Sequence, residues 1–114
     1  MKHSEADTRP KTIFCDIDGT LVRHSAPIKT TNPNLELELL PGVLGKLLEW
    51  DKLGYNIILV SGRRESSRLA TEKQLAKLGI IYDQLILGIG GGKRYIINDR
   101  KSYSREDYAI AINL

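Results

Sequence analysis

Two aspartates one residue apart, Asp16 and Asp18, follow an apolar run in the segment FCDIDGTLV. Like charges placed this close repel each other and resist removal from water. A bound cation offsets that cost, and carboxylates with backbone carbonyls and waters are the ligands that Mg²⁺ prefers. The segment therefore predicts a divalent metal site where a buried strand ends.

Polar side chains also end two later predicted strands. Ser61 follows the apolar run YNIILV, and Asp99 follows RYIIN. In open parallel sheets, ligands and reacting groups gather beyond the carboxyl ends of the strands. We therefore expect Ser61 and Asp99 to lie near Asp16 and Asp18, with Asp99 as a further oxygen ligand of the metal.

The elements that must position these groups alternate between strands and helices, as hydrophobic periodicity and the glycines after each helix indicate. Strands are predicted at Lys11–Cys15, Tyr55–Val60, Gln84–Leu87, Arg94–Asn98 and Tyr108–Leu114. Helices are predicted from Pro41 to Gly54 and from Arg64 to Leu78. A short helix from Ser104 is the alternative for the last strand. This order favours a three-layer α/β/α, Rossmann-like fold with a mostly parallel, five-stranded sheet.

Length and composition are those of one soluble domain. The 114 residues are 41% hydrophobic and 27% charged, and no apolar run is long enough to span a bilayer. We expect a flexible lead-in at residues 1–10 and a single domain at 11–114, with a flap-like excursion at 21–40. The single cysteine, Cys15, fits a reducing cytoplasm and is expected to point into the core.

Three segments match motifs of a known superfamily in their order along the chain. FCDIDGTL, IILVSGR and IINDRK resemble the first, second and fourth motifs of the haloacid dehalogenase-like (HAD) phosphohydrolases, and GGGKR holds a lysine where the third is expected. The resemblance covers about Lys11 to Lys101. It implies a HAD-like fold of the small capless type and a Mg²⁺-dependent phosphatase, because an acid at position 18 accompanies phosphomonoester hydrolysis in that superfamily.

Carried over to this sequence, the resemblance implies a role for each motif residue. Asp16 is expected to attack phosphorus and form an aspartyl-phosphate. Asp18 is expected to protonate the leaving alcohol and then to take a proton from water. Ser61 is expected to bind a phosphoryl oxygen and Lys93 to neutralise its charge, with Lys73 as an alternative to Lys93.

The resemblance also implies a metal shell and contacts to substrate. Asp16, the backbone carbonyl of Asp18, and Asp99 are the expected ligands of Mg²⁺. Gly62 and Arg63 are expected to contact the substrate.

The expected substrate is a small phosphorylated metabolite, such as a sugar phosphate or a nucleotide. Without a cap domain the site is open, which leaves two hypotheses: a homo-oligomer, such as a tetramer, covers it, or the substrate is itself large. A nucleic-acid 3′-phosphatase is an alternative to which the net charge of +3 gives limited support. A non-catalytic module that binds phosphate or a protein partner is a third hypothesis, which the retained pair of aspartates disfavours. No membrane partner is expected.

Overall fold

The computed structural model describes residues 7–114, which belong to two units. The larger unit, Pro10–Gly91, contains the strands and helices described below. Of the described residues, the smaller unit combines 7–9 with Gly92–Leu114. The predicted flexible lead-in falls on residues 1–10, of which residues 1–6 lie outside the described part.

A parallel sheet forms the centre of the larger unit. Its strands are β1 (Thr12–Asp16), β2 (Asn56–Val60) and β3 (Gln84–Ile86). They lie in the order β1-β2-β3, and the register pairs Asp16 with Val60 and Val60 with Ile86. All three strands therefore end at the same edge of the sheet. Parallel strands joined through helices confirm the predicted α/β arrangement.

Two helices connect the strands: α1 (Val43–Lys52) and α2 (Arg68–Lys77). Gly42 precedes α1 with a φ of 78°, and Gly54 follows it with a φ of 76°. Side chains disfavour this backbone conformation, so the two glycines set the limits of the helix. A 3₁₀ turn at Glu65–Ser67 precedes α2, which therefore begins later than the sequence predicts. Within residues 7–114 no helix has the length and apolar character that crossing a membrane requires.

The core of the larger unit combines side chains from the sheet, both helices and the chain after β1. Leu59 of β2, Leu47 of α1 and Leu75 of α2 are fully buried, as are Ile17 and Val22. Because β1 ends directly before Ile17, the segment that carries the two aspartates is fixed to the core at the residue between them.

The excursion after β1 is irregular, and backbone hydrogen bonds join its two arms. The N–H of Arg23 donates to the carbonyl of Glu38, and the N–H of Leu40 donates to the carbonyl of Leu21, both at 2.9 Å. A 3₁₀ turn lies between these arms at Lys29–Thr31. These bonds make the excursion an ordered part of the larger unit.

The predicted fourth and fifth strands are not confirmed. Arg94–Asn98 and Tyr108–Leu114 have no regular secondary structure, and no helix begins at Ser104. Their apolar side chains face solvent, with Ile97 94% and Ile112 82% exposed. Since β-propensity is expressed by packing on neighbouring strands and a buried face, neither the apolar run at Arg94–Asn98 nor the alternation at Tyr108–Leu114 forms a strand by itself. The sheet of the described residues has three strands, and the five-stranded, three-layer form stays a prediction.

Leu47 and Leu48 are neighbours on α1 and allow a matched test of the core. Leu47 is fully buried, whereas Leu48 is 54% exposed. Leu47→Ala is expected to lower the free energy of unfolding by about 2–5 kcal/mol, because it removes core contacts and leaves a cavity. Leu48→Ala is expected to lower it by less than about 1 kcal/mol. Equal losses in urea denaturation would contradict the burial described here.

Candidate active site

Both aspartates of the DIDGT segment lie where β1 ends. Asp16 is the last residue of the strand, and Asp18 lies in the turn that follows. The N–H groups of Leu21 and Val22 both donate to the carbonyl of Ile17, at 2.9 and 3.2 Å. This tight turn keeps Asp18 at the carboxyl edge of the sheet, as the sequence predicts.

Gly19 allows the turn to pass beneath the imidazole of His24. Its φ is 83°, and a Cβ at this position would lie 2.3 Å from Nε2 of His24. No larger residue fits there without displacing the ring. The excursion therefore brings an imidazole against the backbone next to Asp18.

Arg63, which the sequence predicts to contact substrate, pairs with Asp18 in the structure. Nε of Arg63 donates to Oδ2 of Asp18 at 2.9 Å, and Nη2 donates to Oδ1 at 2.8 Å. The Arg63 side chain is 4% exposed and that of Asp18 is 23% exposed. Such a bidentate pair fixes the orientation of the carboxylate. Each carboxylate oxygen keeps a second lone pair with which to exchange a proton with another group.

The third nitrogen of this guanidinium is held by α2. Nη1 of Arg63 donates to Oγ1 of Thr71 at 3.1 Å and to Oε1 of Gln74 at 2.6 Å. Both acceptor residues are fully buried. A buried charge is stable only when it is paired and hydrogen-bonded, and here each of the three nitrogens has an acceptor.

Thr71 and Gln74 were not singled out by the sequence. The segment of α2, RLATEKQLAK, has no clear apolar stripe, so its spacing does not indicate which polar residues point inward. The sequence holds no other signal for their burial, because a buried glutamine is recognised only by the residues that contact it in the fold.

Ser61 and Gly62 carry the chain from β2 to Arg63. The N–H of Ser61 donates to the carbonyl of Ile86 at 2.9 Å, and the N–H of Ile89 donates to the carbonyl of Ser61 at 3.0 Å. Oγ of Ser61 accepts a bond from the N–H of Arg63, also at 3.0 Å. A Cβ at Gly62 would lie 3.0 Å from the carbonyl oxygen of Ile89, so the close passage of the two chains favours glycine.

Cys15 belongs to the core, as predicted from its position beside Asp16. Burial and then the charge of Asp16 raise the pKa of its thiol to about 11. The thiol is therefore neutral near pH 7, and since the thiolate is the reactive form, Cys15 does not compete as a nucleophile.

Lys93 and Asp99 lie in the smaller unit. Lys93 is exposed. Oδ2 of Asp99 lies 3.0 Å from Nζ of Lys101, and the hydrogen bond between them raises the pKa of Lys101. Asp99 also lines a cleft of about 280 Å³ with Asn98 and Tyr108. The predicted roles of Lys93 in charge neutralisation and of Asp99 in metal binding stay predictions.

The donor set at the end of β1 fits a hard cation. Within residues 7–114, no three or more His, Cys, Asp or Glu side chains are grouped to hold a metal ion. The carboxylate of Asp16 and the backbone carbonyl of Asp18 are oxygen donors, while the carboxylate of Asp18 is paired with Arg63. Mg²⁺ takes few protein ligands and keeps several waters, so these donors suit its chemistry.

Adjacent arginines in the segment after β2 are expected to differ strongly in their effect on stability. Arg63→Met is expected to lower the free energy of unfolding by about 3–5 kcal/mol, because the half-buried carboxylate of Asp18 and the fully buried amide of Gln74 lose their donor. Arg64 is exposed, and Arg64→Met is expected to change the same quantity by about 0.5 kcal/mol at most. Losses of similar size for the two variants in thermal and urea unfolding would show that Arg63 does not form a buried ion pair with Asp18.

A protein-family model matches the entire sequence. The model is that of the HAD superfamily, subfamily IIIB (acid phosphatase), and the match covers residues 1–114. No curated protein matches the sequence at a significant level.

Several solved structures are similar to this chain. A structure of the Pnkp1/Rnl/Hen1 complex has 32% identity and a TM-score of 0.61, covering 83% of this chain and 33% of that chain. A structure of the Pnkp1/Rnl/Hen1 RNA repair complex has 32% identity and a TM-score of 0.60, and the match covers 82% of this chain and 30% of that chain. The present chain thus spans about a third of the length of those two chains. A crystal structure of a target protein from Vibrio cholerae has 20% identity and a TM-score of 0.57, and the match covers 77% of this chain and 79% of that chain. At this identity the likeness shows a shared fold alone.

Proposed function

We propose that this chain, which belongs to the acid phosphatases of HAD superfamily subfamily IIIB, hydrolyses phosphate monoesters through a covalent intermediate on Asp16. Membership of the family confirms the predicted family and the predicted class of enzyme, a phosphatase. The mechanism itself is supported by one observation above all: β1 ends in Asp16, and Arg63 holds the carboxylate of Asp18 in a fixed orientation beside that end.

The proposed reaction has two steps that share one pair of carboxyl groups. First, an oxygen of Asp16 bonds to phosphorus, the bond from phosphorus to the alcohol oxygen breaks, and Asp18 gives its proton to that oxygen. Second, water attacks the phosphorus of the aspartyl-phosphate while Asp18 takes a proton from the water. Asp16 leaves as a carboxylate, so the products are the alcohol and inorganic phosphate.

In the first step an anionic carboxylate approaches an anionic phosphoryl group, so hydrogen-bond donors and cations must offset the repulsion between them. Ser61 directly follows Val60, the register partner of Asp16, which supports the proposal that its hydroxyl binds a phosphoryl oxygen. Lys93 is the proposed cation, and Lys73 on α2 is the alternative.

Mg²⁺ is the cofactor that we propose for this site. The carboxylate of Asp16 and the backbone carbonyl of Asp18 would hold it, with Asp99 as the further ligand expected from the sequence. Its chemistry is the neutralisation of phosphoryl charge. Since Arg63 occupies the carboxylate of Asp18, the carbonyl is the natural donor from that residue.

We assign Arg63 to Asp18 rather than to the substrate. All three nitrogens of its guanidinium have acceptors within the protein, and the side chain is 4% exposed. A phosphate could reach this group only by displacing Asp18. Gly62 is exposed and keeps the proposed role of contacting the substrate through its backbone.

A polynucleotide end is the substrate class that the comparisons favour. Two similar structures, at 32% identity, are those of the Pnkp1/Rnl/Hen1 complex, one of them described as an RNA repair complex. A 3′-phosphate on a nucleic acid is therefore our leading substrate, and a small phosphorylated metabolite is the second candidate. A large substrate also suits an open site, so a homo-oligomer that covers the site is not required.

Substitution of the proposed nucleophile tests the mechanism. Asp16→Asn is expected to lower phosphate release from p-nitrophenyl phosphate by at least about a thousandfold, because the amide does not form the intermediate. Asp51, an exposed aspartate on α1, supplies the matched control, and Asp51→Asn is expected to keep the wild-type rate. EDTA is expected to stop release and added Mg²⁺ to restore it. Full turnover by Asp16→Asn, or by wild-type protein in EDTA, would contradict the proposal.

The substrate class is tested separately with one oligoribonucleotide in two forms. The form with a 3′-phosphate is expected to have a kcat/KM at least about tenfold above that of the 5′-phosphorylated form and of each member of a panel of sugar phosphates and nucleotides. A higher kcat/KM for a sugar phosphate or a nucleotide would instead identify a metabolite phosphatase.

A further inference from the structure

A buried amide on α2 connects the pair of Asp18 and Arg63 to the excursion. Gln74 is fully buried. Its Oε1 accepts a hydrogen bond from Nη1 of Arg63 at 2.6 Å. Its Nε2 donates to the backbone carbonyls of Thr30 and Asn32, at 3.0 and 2.8 Å. One side chain thus contacts both the residue that holds the carboxylate and the 3₁₀ turn of the excursion.

The three neighbours of Gln74 require an amide at this position. A guanidinium only donates hydrogen bonds, and backbone carbonyls only accept them. Of the side chains with this reach, glutamine alone offers an acceptor to the first and two donors to the others. A carboxylate would face both carbonyls without a donor, and a lysine would face Arg63 with a like charge.

We propose that Gln74 is a positioning residue for the proton transfers at Asp18 and that it acts through Arg63. The inference rests on the proposed function, since it takes Asp18 as the acid of the first step. Nε and Nη2 of Arg63 hold the carboxylate, and Nη1 is the nitrogen that remains to fix the plane of the guanidinium. When Nη1 loses Gln74, it keeps Thr71 as its one remaining acceptor. The guanidinium is then held less firmly, and the carboxylate moves with it, which misaligns the proton donor.

Thr71 supports the same nitrogen from one helical turn away. Its Oγ1 accepts from Nη1 of Arg63 at 3.1 Å, and positions 71 and 74 lie on one face of α2 because they are three residues apart. Gln74 also holds the turn at Lys29–Thr31, so the excursion and the carboxylate of Asp18 are anchored to the same side chain.

The dependence of the rate on the leaving group separates this role from a purely structural one. A general acid matters greatly when the leaving alcohol is strongly basic and little when it is a weakly basic phenolate. Gln74→Leu is therefore expected to lower kcat/KM for an alkyl phosphate by about 10- to 100-fold more than for p-nitrophenyl phosphate. The alkyl substrate is the 3′-phosphorylated oligoribonucleotide or glycerol phosphate, whichever the wild-type protein hydrolyses. The ratio kcat/KM is compared because it reports on the steps up to the aspartyl-phosphate.

A second glutamine supplies the matched control. Gln84 on β3 is exposed, and Gln84→Leu is expected to leave both values of kcat/KM unchanged. A folded Gln74→Leu protein that loses equal activity on both substrates, or none, would overturn the proposal.

If circular dichroism shows that Gln74→Leu does not fold, Thr71→Val tests the support of Nη1 instead. It removes one acceptor of Nη1 and keeps the shape of the side chain, so the same selective loss is expected at about two- to tenfold. The absence of selectivity in that variant would overturn the proposal. Failure of the proposed function is visible separately, because wild-type protein would then release no phosphate or Asp16→Asn would still release it.

Discussion

The guanidinium of Arg63 can be buried only because each of its three nitrogens has an acceptor. An unpaired charge in a protein interior costs several kcal/mol, which is a large fraction of the stability of a small domain. Two of the nitrogens bind Asp18, after β1, and the third binds Thr71 and Gln74, on α2. The end of β1, the segment after β2 and the inner face of α2 must therefore all be in place together.

The local structure around Arg63 follows from the same constraint. Oγ of Ser61 accepts a hydrogen bond from the backbone N–H of Arg63, and the carbonyl of Arg63 accepts one from the N–H of Gly88 at 2.8 Å. Gly62 lets this segment pass close to the carbonyl of Ile89. The Ser-Gly-Arg sequence thus links the end of β2 to the buried Arg63, and Ser61 directly follows Val60, the register partner of Asp16.

Features that depend on neighbouring residues were predictable from the sequence, whereas contacts between distant residues were not. The predicted β1 at Lys11–Cys15 is within one residue of Thr12–Asp16, because an apolar run before DIDGT fixes the strand and its end. The partner of Arg63 was not predicted, since an arginine beside an active site can face either substrate or protein. Gln74 was not predicted, because its partners lie far along the chain and α2 has no regular polar stripe. The strand expected in residues 94–98 rested on a short apolar run and that in residues 108–114 on alternation, and neither pattern supplies a neighbouring strand.

A double-mutant cycle between Asp18 and Arg63 tests the ion pair most directly. The free energy of unfolding is measured for Asp18→Asn, Arg63→Met and the double variant, and the same cycle is repeated with the exposed Arg64 in place of Arg63. If Arg63 holds Asp18, the coupling energy is expected to be at least about 1.5 kcal/mol in the first cycle and about 0.5 kcal/mol or less in the second. Additive effects in both cycles would show that Arg63 does not hold Asp18.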